Sequence, residues 1–324
     1  KFRDICEDKL TVSEGHGYGM IILPLMAGYD PKARHYFDGM VAFYNDHRST
    51  GNENLMSWMT DCNEEGENAC AADADLDIAY GFLLAHTQWG SNGKINYLEE
   101  AKRMIIKGIM PSLIHTSSYN IRLGDWSTNG YSTRSSDWMP GHIRVFNTAV
   151  PSETYWNRVL DRMFRNINHI QEEHSPETGL MPDFVVNSTI DPAPSNFLER
   201  ASDGKYSWNA CRWPWRMAVD YAHFGDGRTF TALNKVIDWI KEESGGRGNG
   251  IVAGYDLDGE PISGAISLAY IAPFGAGATC DSSHQSFLND IWDLMADHHD
   301  SYYSDTLTML CQLYISGNWW KPEV

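Results

Sequence analysis

Apolar residues recur at three- and four-residue spacings along almost the whole chain, and alternation is confined to short stretches. This periodicity predicts helices over 16–28, 33–47, 74–89, 96–109, 137–149, 153–173, 208–224, 229–243, 262–273, 284–297 and 304–315. Two segments read as strands, "DFVV" at 183–186 and "GIVAGYDL" at 250–257. No Pro/Ser-rich linker divides the 324 residues, so a single domain spanning 1–324 is expected. Helices in this number, joined alternately by short turns and long polar loops, predict an all-α fold of the α/α toroid type. In such a fold the inner helices carry the core and the loops at one rim build a site. Eleven helices are an odd number for a closed ring of hairpins. Either one helix is missing at the N-terminal side of this sequence or the count is off by one.

Charge narrows the function classes. The net charge is -18, and no block of Lys or Arg stands out. Nucleic acid would be repelled, because its binding rests on cationic contacts to phosphate. A cationic or neutral partner suits this surface better. No apolar run approaches the roughly 18 residues of a membrane-spanning helix, so no membrane association is expected. The chain is expected to be a monomer.

The 12 Trp and 16 Tyr suggest stacking on the flat faces of sugar rings, with core packing as the other reading. Six cysteines without CxxC or CxxxH spacing disfavour a zinc site. Cys62 and Cys70 bracket a polar loop that a disulfide would close, as suits an exported protein; buried free thiols remain open. The sequence starts at Lys1 without Met or an apolar leader, so a processed, secreted chain is expected.

Candidate chemistry begins at "TVSEGHGYGM", 11–20. A nucleotide loop is excluded, since no strand pattern precedes the motif, the spacing is GxGxG, and no Lys follows. Ser13 as a helix cap with Glu14 at the positive end of the dipole accounts for Ser-Glu. It leaves the alternating Gly15, Gly17 and Gly19 unexplained, and close approach of another molecule to the backbone would account for them. In "AADADLDIAYGFLLA", 71–85, Asp73 and Asp77 lie four apart on one helix face, with Asp75 elsewhere. The apolar run after Asp77 predicts a buried inner helix with carboxylates at its mouth.

Further loops combine acids with aromatics: "LGDWST" with Asp125 and Trp126, "RSSDWMPGH" with Asp137 and Trp138, and "PAPSNFLERASDGKYSWNACRWPWR" with Glu199. This repetition fits a groove that binds and cuts a polysaccharide. Other chemistry has little support: there is no HExxH and no GxSxG, and "DCNEEGE" at 61–67 lacks the closing Glu of a calcium loop. No metal and no cofactor are expected.

"TVSEGHGYGM", "ADADLDIAYGFLLAHTQW", "LGDW", "SDWMP", "YSWNACRWPWRMAVDYAHFGD" and the closing "GNWWKP" together resemble glycoside hydrolase family 8, collinearly from about residue 10 onward. The resemblance implies a six-hairpin (α/α)6 barrel whose first helix, preceding the Ser-Glu-Gly motif, is missing here. It implies Glu14 as general acid and Asp73 as a binder of the sugar at the cleavage point, with Asp75 beside it. Two positions depart from the cellulase branch: Asn209 stands where that branch has its Asp base, and Asp137 where it has a Tyr. The Asn matches a branch of chitosanases and mixed-linkage glucanases whose base is a Glu in an inserted loop just upstream, which points to Glu199.

The implied activity is secreted, inverting, endo-acting hydrolysis of β-1,4 linkages, with carboxyls about 6.5–9.5 Å apart to admit a water. Trp58, Trp126, Trp138, Tyr206 and Trp208 are stacking candidates, and Asp125, Asp137, Asn209 and Arg212 are further substrate-binding candidates. Chitosan, a polycation, ranks first for a chain of charge -18, then mixed-linkage β-glucan, then cellulose. The alternative of another class is a carbohydrate-binding protein without activity, which the persistence of both carboxylates disfavours.

Overall fold

The computed structural model describes residues 9–61, 66–67 and 69–324. In chain order its elements are β1 (Lys9–Val12), α1 (Ser13–Leu25), α2 (Ala33–Asp46), β2 (Met59–Asp61), β3 (Gly66–Glu67), α3 (Ala72–Trp89) and α4 (Tyr97–Arg103). Then come β4 (Thr133–Arg134), α5 (Pro140–Ala149), α6 (Glu153–His169), β5 (Phe184–Val186) and β6 (Asp191–Pro192). The remaining helices are α7 (Trp213–Phe224), α8 (Gly227–Glu243), α9 (Leu268–Gly277), α10 (Gln285–Asp297) and α11 (Tyr302–Ile315). Each predicted helical range overlaps one of these eleven helices.

Contacts group the chain into two compact units. One comprises Lys1–Gly130, His142–Val159 and Trp319–Val324; the other comprises Tyr131–Gly141 and Leu160–Asn318. In the first, α3 is buried on every side from Ala72 to Ala85, as its continuous apolar sequence demands. Beside it α2 is amphipathic and buries Ala33, Phe37, Val41 and Tyr44, a stripe of one face. Helix α3 also holds the last stretch of the unit. Trp319 donates its indole N–H to the Tyr80 hydroxyl at 3.3 Å, and the Glu323 amide donates to the Thr87 hydroxyl at 2.9 Å. Strands β1, β2 and β3 form an antiparallel sheet in which Val12 faces Met59.

In the second unit α9 is buried along its whole length, whereas α8 buries only Thr229, Ala232, Leu233, Val236, Ile237 and Ile240. The alternation of wholly buried and one-sided helices is that of inner and outer layers. Helix α8 is capped by Asp226, whose carboxylate accepts the Arg228 amide at 2.8 Å, and α7 ends on Gly225 at φ 63°. Strands β4, β5 and β6 form a small antiparallel sheet.

"DFVV" supplies β5, but "GIVAGYDL" is not a strand. The Val252 amide bonds the Tyr255 hydroxyl, and Gly254 sits at φ 110°, so the segment curls; Tyr255 makes only isolated bridges to Tyr206 and Pro261. Helical ends also differ. The predicted helix at 208–224 opens with a 3-10 turn at Ala210–Arg212, that at 137–149 with one at Ser135–Asp137, and that at 262–273 starts only at Leu268. The helices at 96–109 and 153–173 run on as π-helical turns over Met104–Leu113 and Ile170–His174.

Candidate active site

Glu14 is placed by the junction of β1 and α1. The Ser13 amide donates to the Trp58 carbonyl at 2.8 Å, which ends the strand pairing and aims the first helical turn. Val12, not Ser13, is the residue that precedes the helix, and its side chain makes no cap. Ser13 is the first helical residue, and its hydroxyl is buried with no hydrogen-bond partner among the described residues. Glu14 is half-buried in that first turn, where the helix dipole favours a negative charge, and it accepts the Tyr18 hydroxyl at 2.7 Å.

Gly17 serves the packing of α1 on α3. A Cβ on Gly17 would lie 2.9 Å from the Asp77 Cβ and 3.1 Å from the Ala74 carbonyl oxygen. Gly81 answers from α3, where a Cβ would lie 2.9 Å from the Met20 Cβ and carbonyl oxygen. Helices α1 and α3 therefore touch nearly backbone to backbone. A Cβ on Gly19 would meet the end of the Met40 side chain.

The three acids of α3 have separate fates. Asp73, on the first turn, is buried and accepts the Ala74 amide at 2.9 Å. Asp75 does not reach a surface that a substrate can touch. It is wholly buried, accepts the Met56 amide at 2.9 Å, and burial pushes its carboxyl well above the usual carboxylate range. Asp77 lies 2.9 Å from the His142 Nε2, and the His142 ring stacks on Tyr80 with 4.0 Å between centroids, which ties α5 to α3.

Asp125 is a loop clamp. Its carboxylate accepts the Ser49 hydroxyl and, at 2.9 Å, the Cys70 amide, while its own amide donates to the Cys70 sulfur at 3.2 Å. Trp126 next to it is 49% exposed, and Trp58 is half-buried. Cys70 is a free, buried thiol whose pKa burial pushes up, so it does not close the loop as a disulfide. Cys62, its expected partner, lies outside the described residues, as does most of "DCNEEGE". Among the described residues no group of three or more His, Cys, Asp or Glu is placed to hold a metal ion.

The second unit holds Glu199. Asp203, fully buried, accepts the amides of Leu198, Glu199 and Arg200 at 2.7, 3.0 and 2.8 Å and so shapes the loop that presents it. The Glu199 side chain is 36% exposed, and both oxygens are engaged. Arg134 donates to Oε1 at 2.8 Å and the Asn209 amide group donates to Oε2 at 2.9 Å. Asn209 in turn accepts from Arg212 at 2.8 Å, and Arg212 donates to the Ser136 hydroxyl at 2.9 Å. Beneath them Asp183 accepts the amides of Ser207, Asn209 and Ala210 at 3.1, 3.0 and 2.7 Å. Burial raises its carboxyl to about 7 against the pull of those three donors.

Three aromatic-loop candidates are part of the interior. Trp138 is fully buried and donates its indole N–H to the Thr133 hydroxyl at 3.2 Å, so it cannot stack on a sugar. Tyr206 is fully buried against Phe274, 5.5 Å between centroids, and Tyr270. Asp137 is fully buried 3.8 Å from the Arg134 guanidinium. Trp208 remains half-buried, edge-on to Tyr270 at 5.1 Å.

The sequence pattern of Glycosyl hydrolases family 8 matches residues 3–317. The chain belongs to this family. Among curated relatives, a "Beta-glucanase" of Niallia circulans is 43% identical over 96% of this chain and 77% of its own. An "Endoglucanase" of Bacillus sp. (strain KSM-330) is 43% identical over 97% of this chain and 68% of its own. The apo structure of a β-1,3-1,4-glucanase from Paenibacillus sp. X4 superposes with a TM-score of 0.93 at 40% identity, covering 96% of this chain and 84% of that one. A family 8 xylobiose complex from Teredinibacter turnerae, at 18% identity and TM-score 0.82, shares the fold. The fold class is the (α/α)6 barrel of family 8, and the chain is an inverting, endo-acting glycoside hydrolase.

Three residues of this family 8 chain escaped the sequence reading: Arg134, Asp183 and Asp203. Arg134 opens the motif "RSSDWMPGH" and Asp183 opens "DFVV", but nothing local distinguishes them. Arg134 meets Glu199 across 65 residues of chain, a separation that no local pattern encodes.

Proposed function

We propose that this enzyme cleaves mixed-linkage β-1,3-1,4-glucan, with Glu14 as general acid and Glu199 as general base. The observation that carries the assignment of the base is the hydrogen bond from the Asn209 amide to Glu199. Asn209 has no carboxylate with which to take a proton from water, yet its side chain holds one that does, that of Glu199. Glu14 gives its proton to the glycosidic oxygen as the bond to the anomeric carbon breaks. A water attacks that carbon from the opposite face and loses its proton to Glu199, so a β-linkage yields an α-hemiacetal. The single displacement requires about 6.5–9.5 Å between the two carboxyls. A polymer too large to enter a cell calls for an exported enzyme.

The names of the relatives at 40–43% identity support β-glucan over chitosan, which the charge of -18 and the resemblance to the chitosanase branch favoured. Reducing-sugar release from barley β-glucan, carboxymethyl cellulose and chitosan is the test, with wild type, Glu14→Gln and Glu199→Gln. The expected result is greatest activity on β-glucan, a loss of about 10²–10⁴-fold in each variant, and an α-anomer as first product by NMR. Greater activity on chitosan would overturn the substrate, and survival of activity in both variants would overturn the acid and base.

A further inference from the structure

We propose that Arg134 is a positioning residue for Glu199, and that Asp137 holds Arg134 in place for that task. The proposal rests on the reading of Glu199 as the base. Glu199 comes from an irregular loop, whereas Arg134 comes from β4, paired with β5 so that Arg134 lies opposite Phe184. A side chain anchored on a sheet is thus available to fix one carried by a loop.

The guanidinium of Arg134 is held on three sides. One nitrogen donates to Glu199 at 2.8 Å, another lies 3.8 Å from the Asp137 carboxylate, and the group sits over the Phe184 ring, 5.0 Å from its centroid. Arg134 is only 9% exposed and Asp137 is not exposed at all. A buried cation needs a partner, and here one guanidinium joins a buried carboxylate to a partly exposed one. Arg134 and Asn209 take one site on each Glu199 oxygen. That fixes the carboxylate plane and leaves further lone pairs for a water.

The geometry also joins two departures seen in the sequence. Asp137 and Asn209 replace residues of the cellulase branch at separate motifs, but both act on the setting of Glu199. Asn209 does so directly, and Asp137 does so through Arg134. Ser136 links them further, since its hydroxyl donates to Asp137 at 3.3 Å and accepts from Arg212 at 2.9 Å.

The experiment measures kcat and KM on barley β-glucan for wild type, Arg134→Gln, Arg134→Lys, Asp137→Asn and Glu199→Gln, with thermal unfolding of each. Arg134→Gln is expected to lower kcat about 10–100-fold, the loss that a misplaced catalytic group causes. KM should stay within about twofold, because substrate binding is not the interaction removed. Arg134→Lys should recover part of the loss, since it keeps the charge but not the planar fork. Asp137→Asn should give a smaller loss of about 3–10-fold, again in kcat.

Wild-type kcat in Arg134→Gln overturns the proposal. So does an increase in KM that accounts for the whole effect, or a Lys variant no better than the Gln variant. Should Arg134→Gln fail to fold, the Lys variant decides by itself: wild-type kcat there overturns the proposal, and a reduced kcat at unchanged KM supports it. An active Glu199→Gln enzyme would instead refute the reading of the base. An inert Glu199→Gln beside a fully active Arg134→Gln would refute the role of Arg134 alone.

Discussion

Gly17→Ala sets two physical effects against each other, and the structure decides the sign. Helix propensity alone favours Ala over Gly by about 1 kcal/mol inside a helix. Against this, the new Cβ would lie 2.9 Å from the Asp77 Cβ and 3.1 Å from the Ala74 carbonyl oxygen, where carbon pairs prefer about 3.5–4.0 Å. Neither neighbour is the free end of a flexible side chain: one is helix backbone, and Asp77 is fastened to His142 at 2.9 Å. Helix α1 must therefore move away from α3 by something near half an ångström to 1 Å. Overpacking of this kind costs about 1–3 kcal/mol, and the rigid neighbours put it at the upper end.

The expected net effect is a loss of about 1–2 kcal/mol, or a fall in Tm of roughly 1.5–3 °C. Glu14 rides on the same helix, so kcat should fall by about tenfold or more. Differential scanning calorimetry and the β-glucan assay measure both. Gly39→Ala is the control. Gly39 is an exposed residue of α2 with nothing within 4 Å of its would-be Cβ, so it should gain about 0.5–1 kcal/mol. A Gly17→Ala enzyme as stable as the wild type would refute the close contact between α1 and α3.

Asn209→Asp should not supply a working second base. It sets two carboxylates about 3 Å apart, which raises the folded pKa of the pair, so the variant loses stability relative to wild type as pH rises from 4 to 7. Equal urea midpoints for the two proteins across that range would contradict this. Asp183 titrates near 7 in the folded chain, well above its unfolded value, so its contribution to stability is complete below about pH 4 and lost as pH rises through 7. Asp183→Asn should flatten the difference in urea midpoint between pH 5 and pH 8, and an unchanged difference would count against it. Asp203→Ala removes the acceptor of three successive amides, and kcat should fall about 10-fold or more while Asp203→Asn loses less. Steady-state kinetics of the two variants check this, and equal losses would point away from the clasp.

The helices were legible because the 3.6-residue period survives in outer helices such as α2 and α8, and because wholly apolar stretches such as that after Asp77 have no reading but burial. Their ends were less legible, since 3-10 and π turns satisfy the same pattern with different spacing. Acid-aromatic pairs do not show which side chains point inward. Asp137-Trp138 and Asp125-Trp126 look alike in sequence, yet Trp138 is sealed and Trp126 is open. The tethers of Glu199 were illegible for a plainer reason. Asp203 acts on backbone amides, which every sequence possesses, and Arg134 acts across the fold.

The C-terminal stretch beginning at Trp319 packs on α3, in the same unit as Glu14. The core around that acid is assembled from three lengths of polypeptide, and the last of them leaves the ribosome after all of α11. Vectorial synthesis therefore cannot finish this unit early. A nascent chain stopped before Trp319 leaves the Tyr80 hydroxyl without its indole partner, and only synthesis through residues 319–324 completes the acid-bearing unit.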